Sequence, residues 1–268
     1  MAETVRVAVS GAAGRMGRAV VRAVCAQADL QLVAAFGRER GVGQDAGVLA
    51  GLSPLGVSVQ RHTEVGSLAG RADVLVEFSV GDGAMANALR AAEAGVRPVV
   101  GATGYTRESL EALRAACAHY RLGGLVAPNF ALGAVLLMRF SEQAARYFAH
   151  AEVVELHHDR KRDAPSGTAL RTAELIARAR GAPPPATVAE EEKVAGARGG
   201  VHEGVRVHSV RLPGLVAHQE VLFGGPGQVL SLRHDAFSEE CFLPGVLLAV
   251  RRVGGLRELV VGLEHLLN

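Results

Sequence analysis

A chain of 268 residues, 49% hydrophobic and 21% charged, has room for one large or two small globular domains. A net charge of only +2 and the lack of tryptophan speak against a general nucleic-acid surface and against base-stacking platforms. No apolar run has membrane length, no signal-peptide pattern opens the chain, and Cys25, Cys117 and Cys241 form no C-x-x-C pair, so a reduced cytoplasmic protein without structural zinc is expected.

Thr4 to Ser10 (T-V-R-V-A-V-S) is a β-branched, apolar run of strand length. Gly11-Ala12-Ala13-Gly14-Arg15-Met16-Gly17 follows at once, and Val20, Val21 and Val24 mark a helix to about Gln27. The spacing is G-x-x-G-x-x-G. Gly11 suits a tight turn, Gly14 the close approach of a pyrophosphate, and Gly17 the packing of helix on strand; the helix N-terminus then faces the phosphates. Leu30 to Phe36 reads as the second strand. An acid at its end favours a free ribose 2′-hydroxyl, and an arginine a 2′-phosphate. Here the chain reads Phe36-Gly37-Arg38-Glu39-Arg40. Gly37 stands where the acid is expected and Arg38 argues for NADPH, while Glu39 keeps NADH open.

Residues 41–56 read as a glycine-rich surface loop, Val57 to Gln60 as a short strand and Ala72 to Phe78 as a buried one. Gly81 to Ala94 reads as a helix stopped by Gly95. Arg97 to Val100 is a strand closing in Gly101-Ala102-Thr103-Gly104, Thr106 to Tyr120 a helix, and Leu125 to Ala127 a strand ending in Pro128-Asn129-Phe130. This alternation predicts a doubly wound parallel sheet, whose ligands bind beyond the carboxyl ends of the strands. The turns 11–17, 101–104 and 127–130 all sit at such ends.

Ala134 to Phe148 reads as a long apolar helix leading to a second domain. After Gly181-Ala182-Pro183-Pro184-Pro185 comes a charged, glycine-rich stretch to Gly204, expected as a mobile loop and candidate lid, with Glu190-Glu191-Glu192 solvated. Val205 to Arg211, Ala217 to Phe223 and Gln228 to His234 are sequential strands, predicting an antiparallel or mixed sheet. Glu239 to Val253 and Leu256 to Leu267 read as helices. No pair among His202, His208, His218 and His234 has metal-ligand spacing with a carboxylate, and no metal is expected. The fold class is therefore α/β: an N-terminal Rossmann-type doubly wound parallel sheet, with a second α+β domain on a mixed or antiparallel sheet.

The densest chemistry lies between a strand, Ala151 to Leu156, and a helix, Gly167 to Arg180, in E-L-H-H-D-R-K-R-D-A-P-S-G-T-A from Glu155 to Ala169. Pro165-Ser166-Gly167-Thr168 suits a helix start, with Ser166 or Thr168 as cap and free N–H groups facing an anion. The chain holds two lysines, Lys161 and Lys193, among its 29 basic residues. A compact ammonium gives up a proton when desolvated; a guanidinium does not. The loop reads as a site that grips a small polyanion and transfers a proton, or else as a basic surface turn on a capped helix.

With V-A-V-S-G-A-A-G-R-M-G, V-G-A-T-G, A-P-N-F-A-L-G and the central stretch in this order, the chain resembles the 4-hydroxy-tetrahydrodipicolinate reductase (dihydrodipicolinate reductase) family of the diaminopimelate route to lysine over nearly its whole length. The resemblance implies a dinucleotide-binding domain of residues 1–129 plus 239–268. It implies a substrate-binding and oligomerisation domain of residues 130–238, forming a homotetramer. His157 and Lys161 match the family's catalytic proton-handling residues, and His158, Gly167 and Thr168 its substrate contacts. Gly11, Ala12, Ala13, Gly14, Arg15, Met16, Gly101, Ala102, Thr103, Ala127, Pro128, Asn129 and Phe130 match its cofactor contacts. Three positions depart from its pattern: Gly37 for an acid, Ala102 for a threonine, and Glu239 for an arginine. The implied substrate is a small cyclic dicarboxylate, with domain closure about residues 129–131 and 235–240. Another nicotinamide-dependent dicarboxylate reductase and a non-catalytic dinucleotide sensor are the alternatives; the sensor has no need of His157 and Lys161 together.

Overall fold

The computed structural model describes residues 4–183, 185, 188 and 191–267. The first half runs β1 (Val5–Ser10), α1 (Arg15–Cys25), β2 (Leu30–Gly37), α2 (Ala46–Leu49), β3 (Val59–Arg61), β4 (Val74–Glu77), α3 (Gly81–Glu93), β5 (Arg97–Val100), α4 (Arg107–His119) and β6 (Gly124–Val126). The second half runs α5 (Leu132–Ala144), β7 (His150–His157), α6 (Gly167–Arg180), β8 (Gly200–His202), β9 (Val205–Arg211), β10 (Ala217–Gly225), β11 (Gln228–Ala236), α7 (Leu243–Arg252) and β12 (Leu259–Val261). The chain divides into two compact units, Met1–Phe130 with Phe242–Asn268, and Ala131–Cys241.

The first unit is built on a seven-stranded parallel sheet in the order β12-β6-β5-β4-β1-β2-β3. A parallel sheet with helices on both faces needs strands that are apolar throughout. β1 and β4 meet that need, with Val7, Val9, Val74, Leu75 and Val76 buried. The chain order reverses between β1 and β4, the switch point at which such sheets open a crevice. α1 lays Ala19, Val20, Val21 and Val24 against the sheet. α3 does the same with Ala84, Met85, Ala88, Ala91 and Ala92, the spacing of one helix face.

The second unit is a five-stranded mixed sheet in the order β11-β10-β7-β9-β8. β7 runs antiparallel to β10 and parallel to β9. Its core joins Val153, Val205, Val207, Val221 and Phe223 of the sheet to Leu137 of α5 and Ala169, Ala173 and Ile176 of α6.

Four expectations need correction. Leu256 to Leu267 is not a helix: Leu259–Val261 pairs in parallel with β6, and a 3-10 turn follows over Leu263–Leu266, with Gly262 between them at φ 110. Residues 41–56 contain α2, because the Asp45 carboxylate accepts from Gly47 N at 2.8 Å and Val48 N at 3.1 Å and caps the turn. The helix expected to Phe148 ends at Ala144. The segment expected as one mobile loop to Gly204 contains β8, paired with β9; its Pro184, Ala186, Thr187, Ala189 and Glu190 lie outside the described residues. No helix among the described residues is long and apolar enough to cross a membrane.

Candidate active site

The predicted site residues fall into two groups, one in each unit. In the first unit, the turns after β1, β5 and β6 meet around Phe78, at the carboxyl end of β4. Gly11 has φ +77, and a Cβ there would stand 3.0 Å from the Phe78 carbonyl carbon. A Cβ on Gly101 would enter the Phe78 ring, and the Phe130 ring lies 5.7 Å from Phe78 between centroids. Ala12 N donates to Phe36 O and Ala127 N to Val100 O, so backbone bonds fix the outer turns. Gly17 packs so closely on Gly11 and Ala12 that any side chain would collide with their backbone. Ala12, Ala13 and Ala102 are buried, while Gly14, Arg15, Thr103 and Pro128 are exposed; Gly11, Met16, Gly101 and Asn129 lie between. No side chain caps the first turn of α1. A glycine cradle with an uncapped helix start beside it fits a pyrophosphate.

Arg38 is exposed just past the end of β2. Its charge reaches His62, whose imidazole is pushed down first by burial and then by Arg90 and Arg38, against the opposing pull of Glu77. Glu77 is fully buried at the end of β4 and accepts from Ser79 N at 2.6 Å and Asn87 Nδ2 at 3.0 Å.

In the second unit, β7 carries Val153, Glu155 and His157 on one face, since strand side chains alternate. Val153 enters the core. Glu155, two residues on, is a carboxylate at an equally buried position. His157 Nδ1 is hydrogen-bonded to Glu155 Oε2. Arg211 lies opposite His157 in the β7–β9 register. Its Nη1 donates to Glu155 Oε2 at 2.9 Å and its Nη2 to Oε1 at 2.7 Å. Ser166 N donates to Oε1 at 3.2 Å. Burial works against the Glu155 charge, but hydrogen bonds from His157, Arg211 and Ser209 outweigh it and hold the carboxyl down to about 2.

The loop from His158 to Ser166 is tied to Glu155 and Arg211 by main-chain groups of Ser166 and Asp163. Lys161 N donates to His158 O, and the Lys161 ammonium binds both oxygens of Asp163 at 2.7 and 2.8 Å. Asp163 is held below the usual carboxylate range chiefly by that ammonium. Arg211 Nη2 also donates to Asp163 O at 2.7 Å. Ser166 is the cap of α6, its hydroxyl accepting from Ala169 N. Gly167 is exposed with open space where a side chain would stand, Thr168 is half-buried, and His158 Nδ1 is buried without a partner. The structure thus gathers His157, His158, Lys161, Gly167 and Thr168 at one end of the second unit's sheet. Sequence reading missed Glu155 and Arg211 as members of the cluster. Glu155 was legible two positions from His157 on the same strand face; Arg211 gave no local signal.

Comparison with known proteins places this architecture. The family model described as "Dihydrodipicolinate reductase, N-terminus" matches residues 5–130, and that described as "Dihydrodipicolinate reductase, C-terminus" matches residues 133–267. Proteins named 4-hydroxy-tetrahydrodipicolinate reductase from Moorella thermoacetica and Synechococcus elongatus are 54% and 46% identical, each aligned over 100% of this chain and 100% of its own. A solved structure of dipicolinate-bound dihydrodipicolinate reductase from Paenisporosarcina sp. TG-14 is 39% identical with a TM-score of 0.87, covering 98% of this chain and 100% of that one. An amine dehydrogenase from Mycobacterium smegmatis, 16% identical with a TM-score of 0.66, covers 97% of this chain and 95% of its own and shares the fold. With both halves matched and full-length relatives at these identities, the chain belongs to the dihydrodipicolinate reductase family.

Proposed function

We propose that this chain catalyses the NAD(P)H-dependent reduction of 4-hydroxy-tetrahydrodipicolinate to tetrahydrodipicolinate, a step of the diaminopimelate route to lysine. The observation that carries the reading is the cluster at the end of β7. A buried carboxylate holds His157, a lysine stands on the loop beside it, and a helix N-terminus follows. Such a cluster suits a small dicarboxylate that must receive a proton. Dipicolinate, bound in the Paenisporosarcina relative, has that chemistry.

The first unit takes the cofactor role, with Gly11 to Met16, Gly101 to Thr103 and Ala127 to Phe130 as contacts. A bound nicotinamide would supply the hydride. The protein's own groups do the rest. The Gly167 and Thr168 amides at the start of α6, with His158, hold substrate carboxylate. Lys161 exchanges its Asp163 partner for substrate charge and stabilises the negative charge that grows toward the ring nitrogen. His157 delivers or relays the proton that neutralises it.

NADPH is the favoured cofactor. Arg38 offers a guanidinium where a 2′-phosphate would lie. A side chain at Gly37, where an acid would bind a free 2′-hydroxyl, would crowd Arg40 O and Val59 Cγ1, each 3.2 Å from its Cβ. We further propose a cytoplasmic homotetramer built through the second unit, whose sheet leaves Val201 and Val229 exposed on its outermost strands.

The test is initial rates with freshly generated 4-hydroxy-tetrahydrodipicolinate, for wild type and Lys161→Ala, with NADPH and NADH in parallel. Turnover that falls about 10²- to 10⁴-fold in the variant, with NADPH ahead of NADH in the wild type, is expected. No turnover by a folded, nucleotide-binding protein would sink the assignment and shift it to another dicarboxylate or to a sensor.

A further inference from the structure

The His157–Glu155 contact decides which ring nitrogen is available for chemistry. Glu155 is fully buried, and the groups around its two oxygens act as donors: both Arg211 Nη groups, the Ser166 amide, the Ser209 hydroxyl and His157 Nδ1. An ionised carboxylate only accepts. His157 must therefore carry a proton on Nδ1, which leaves Nε2 as the nitrogen that takes and gives the mobile proton. Arg211 serves two ends at once, since the guanidinium that binds Glu155 also binds the main-chain oxygen of Asp163, whose carboxylate holds Lys161.

We propose that Glu155 is the positioning residue of this site: its carboxylate fixes the tautomer and orientation of His157, and through Arg211 it ties that ring to the loop bearing Lys161. This rests on the reductase reading above. A purely structural ion pair would also staple the loop to the sheet, but it would place no demand on the imidazole tautomer.

Glu155→Gln separates the two roles. The carboxamide keeps the size and removes the charge. Each of its two faces meets one Arg211 Nη donor. The other partner is the Ser166 amide, which can only donate, on one face and His157, which can switch to acceptor, on the other, so the NH₂ turns toward His157. The ring then accepts at Nδ1 and carries its proton on Nε2, the wrong form for a proton donor that must recycle.

Two readouts are taken together. The first is kcat and KM for the dicarboxylate at saturating NADPH. The second is the ¹⁵N spectrum of His157 in its neutral form, assigned by its loss in His157→Gln. The expected result is a kcat lowered about 10²- to 10⁴-fold with KM changed much less. Alongside it, the Nδ1–H tautomer of the wild type should switch to Nε2–H in Glu155→Gln. A switch of tautomer with kcat intact overturns the proposal, and so does a loss of kcat with the tautomer unchanged. Should Glu155→Gln fail to fold, the wild-type spectrum decides: an Nε2–H neutral ring overturns the proposal and an Nδ1–H ring supports it. Should the wild type not turn over this substrate, the substrate reading fails, while the two spectra still decide what Glu155 does to His157.

Discussion

Glu155 is the residue on which the second unit's chemistry and acid stability meet. Its folded-state carboxyl sits at about 2, below its ordinary 4.5, because the donors around it outweigh the cost of burial. A carboxyl lowered on folding adds stability above the unfolded value and loses it as pH falls through the folded one. The window is thus from about 4.5 down to about 2. Urea unfolding at successive pH values should show the wild type losing stability through that window more steeply than Glu155→Gln; parallel slopes would remove Glu155 as the cause. Lys161 shows how far a residue's setting is legible from sequence. Its rarity singled it out, and its partner Asp163 lies two positions away in the same loop. The chain does not advertise that Glu155 is buried, because a glutamate in a charged stretch reads as solvated until the sheet is assembled around it.

At the scale of elements, α6 joins the site to the core. Ser166 caps it and also gives its own N–H to Glu155, while Ala169, Ala173 and Ile176 bury its inner face. Ser166→Ala removes the cap but keeps the Glu155 contact, which is made by main chain. The expected cost is about 1 kcal/mol in denaturant unfolding, with the His157 tautomer unchanged. Elements with a strong local signal were readable: Arg97–Val100, Val205–Arg211 and α6 stand where their patterns put them. The C-terminal strand was not. Leu256, Leu259, Val260, Leu263, Leu266 and Leu267 repeat at three and four residues, the spacing of a helix face. Pairing of Leu259–Val261 with β6 overrides that pattern, and it depends on residues some 130 positions away. Arg211 was hidden for the same reason, 56 residues from Glu155.

At the scale of the whole molecule, the two units have separate cores. Val153, Val221, Phe223 and Ile176 form that of the second unit, while in the first Phe36 and Leu75 lie in one buried cluster and Leu113 in another. Phe223 is fully buried, so Phe223→Ala should weaken the second unit by about 3–5 kcal/mol. Calorimetry of that variant is expected to show a transition moved to lower temperature ahead of one that NADPH raises; a single transition moved as a whole would mean that the units unfold as one. The connectivity also sets an order of events during synthesis. The second unit is continuous in sequence from Ala131 to Cys241, and its Glu155–Arg211 contact needs nothing beyond residue 211. The first unit begins earlier yet closes last. Until Leu259–Val261 emerges from the ribosome, β6 is an open sheet edge, a template for pairing with another nascent chain. The half made first is therefore the half that depends longest on protection, and the short strand Leu259–Val261 acts as its built-in cover.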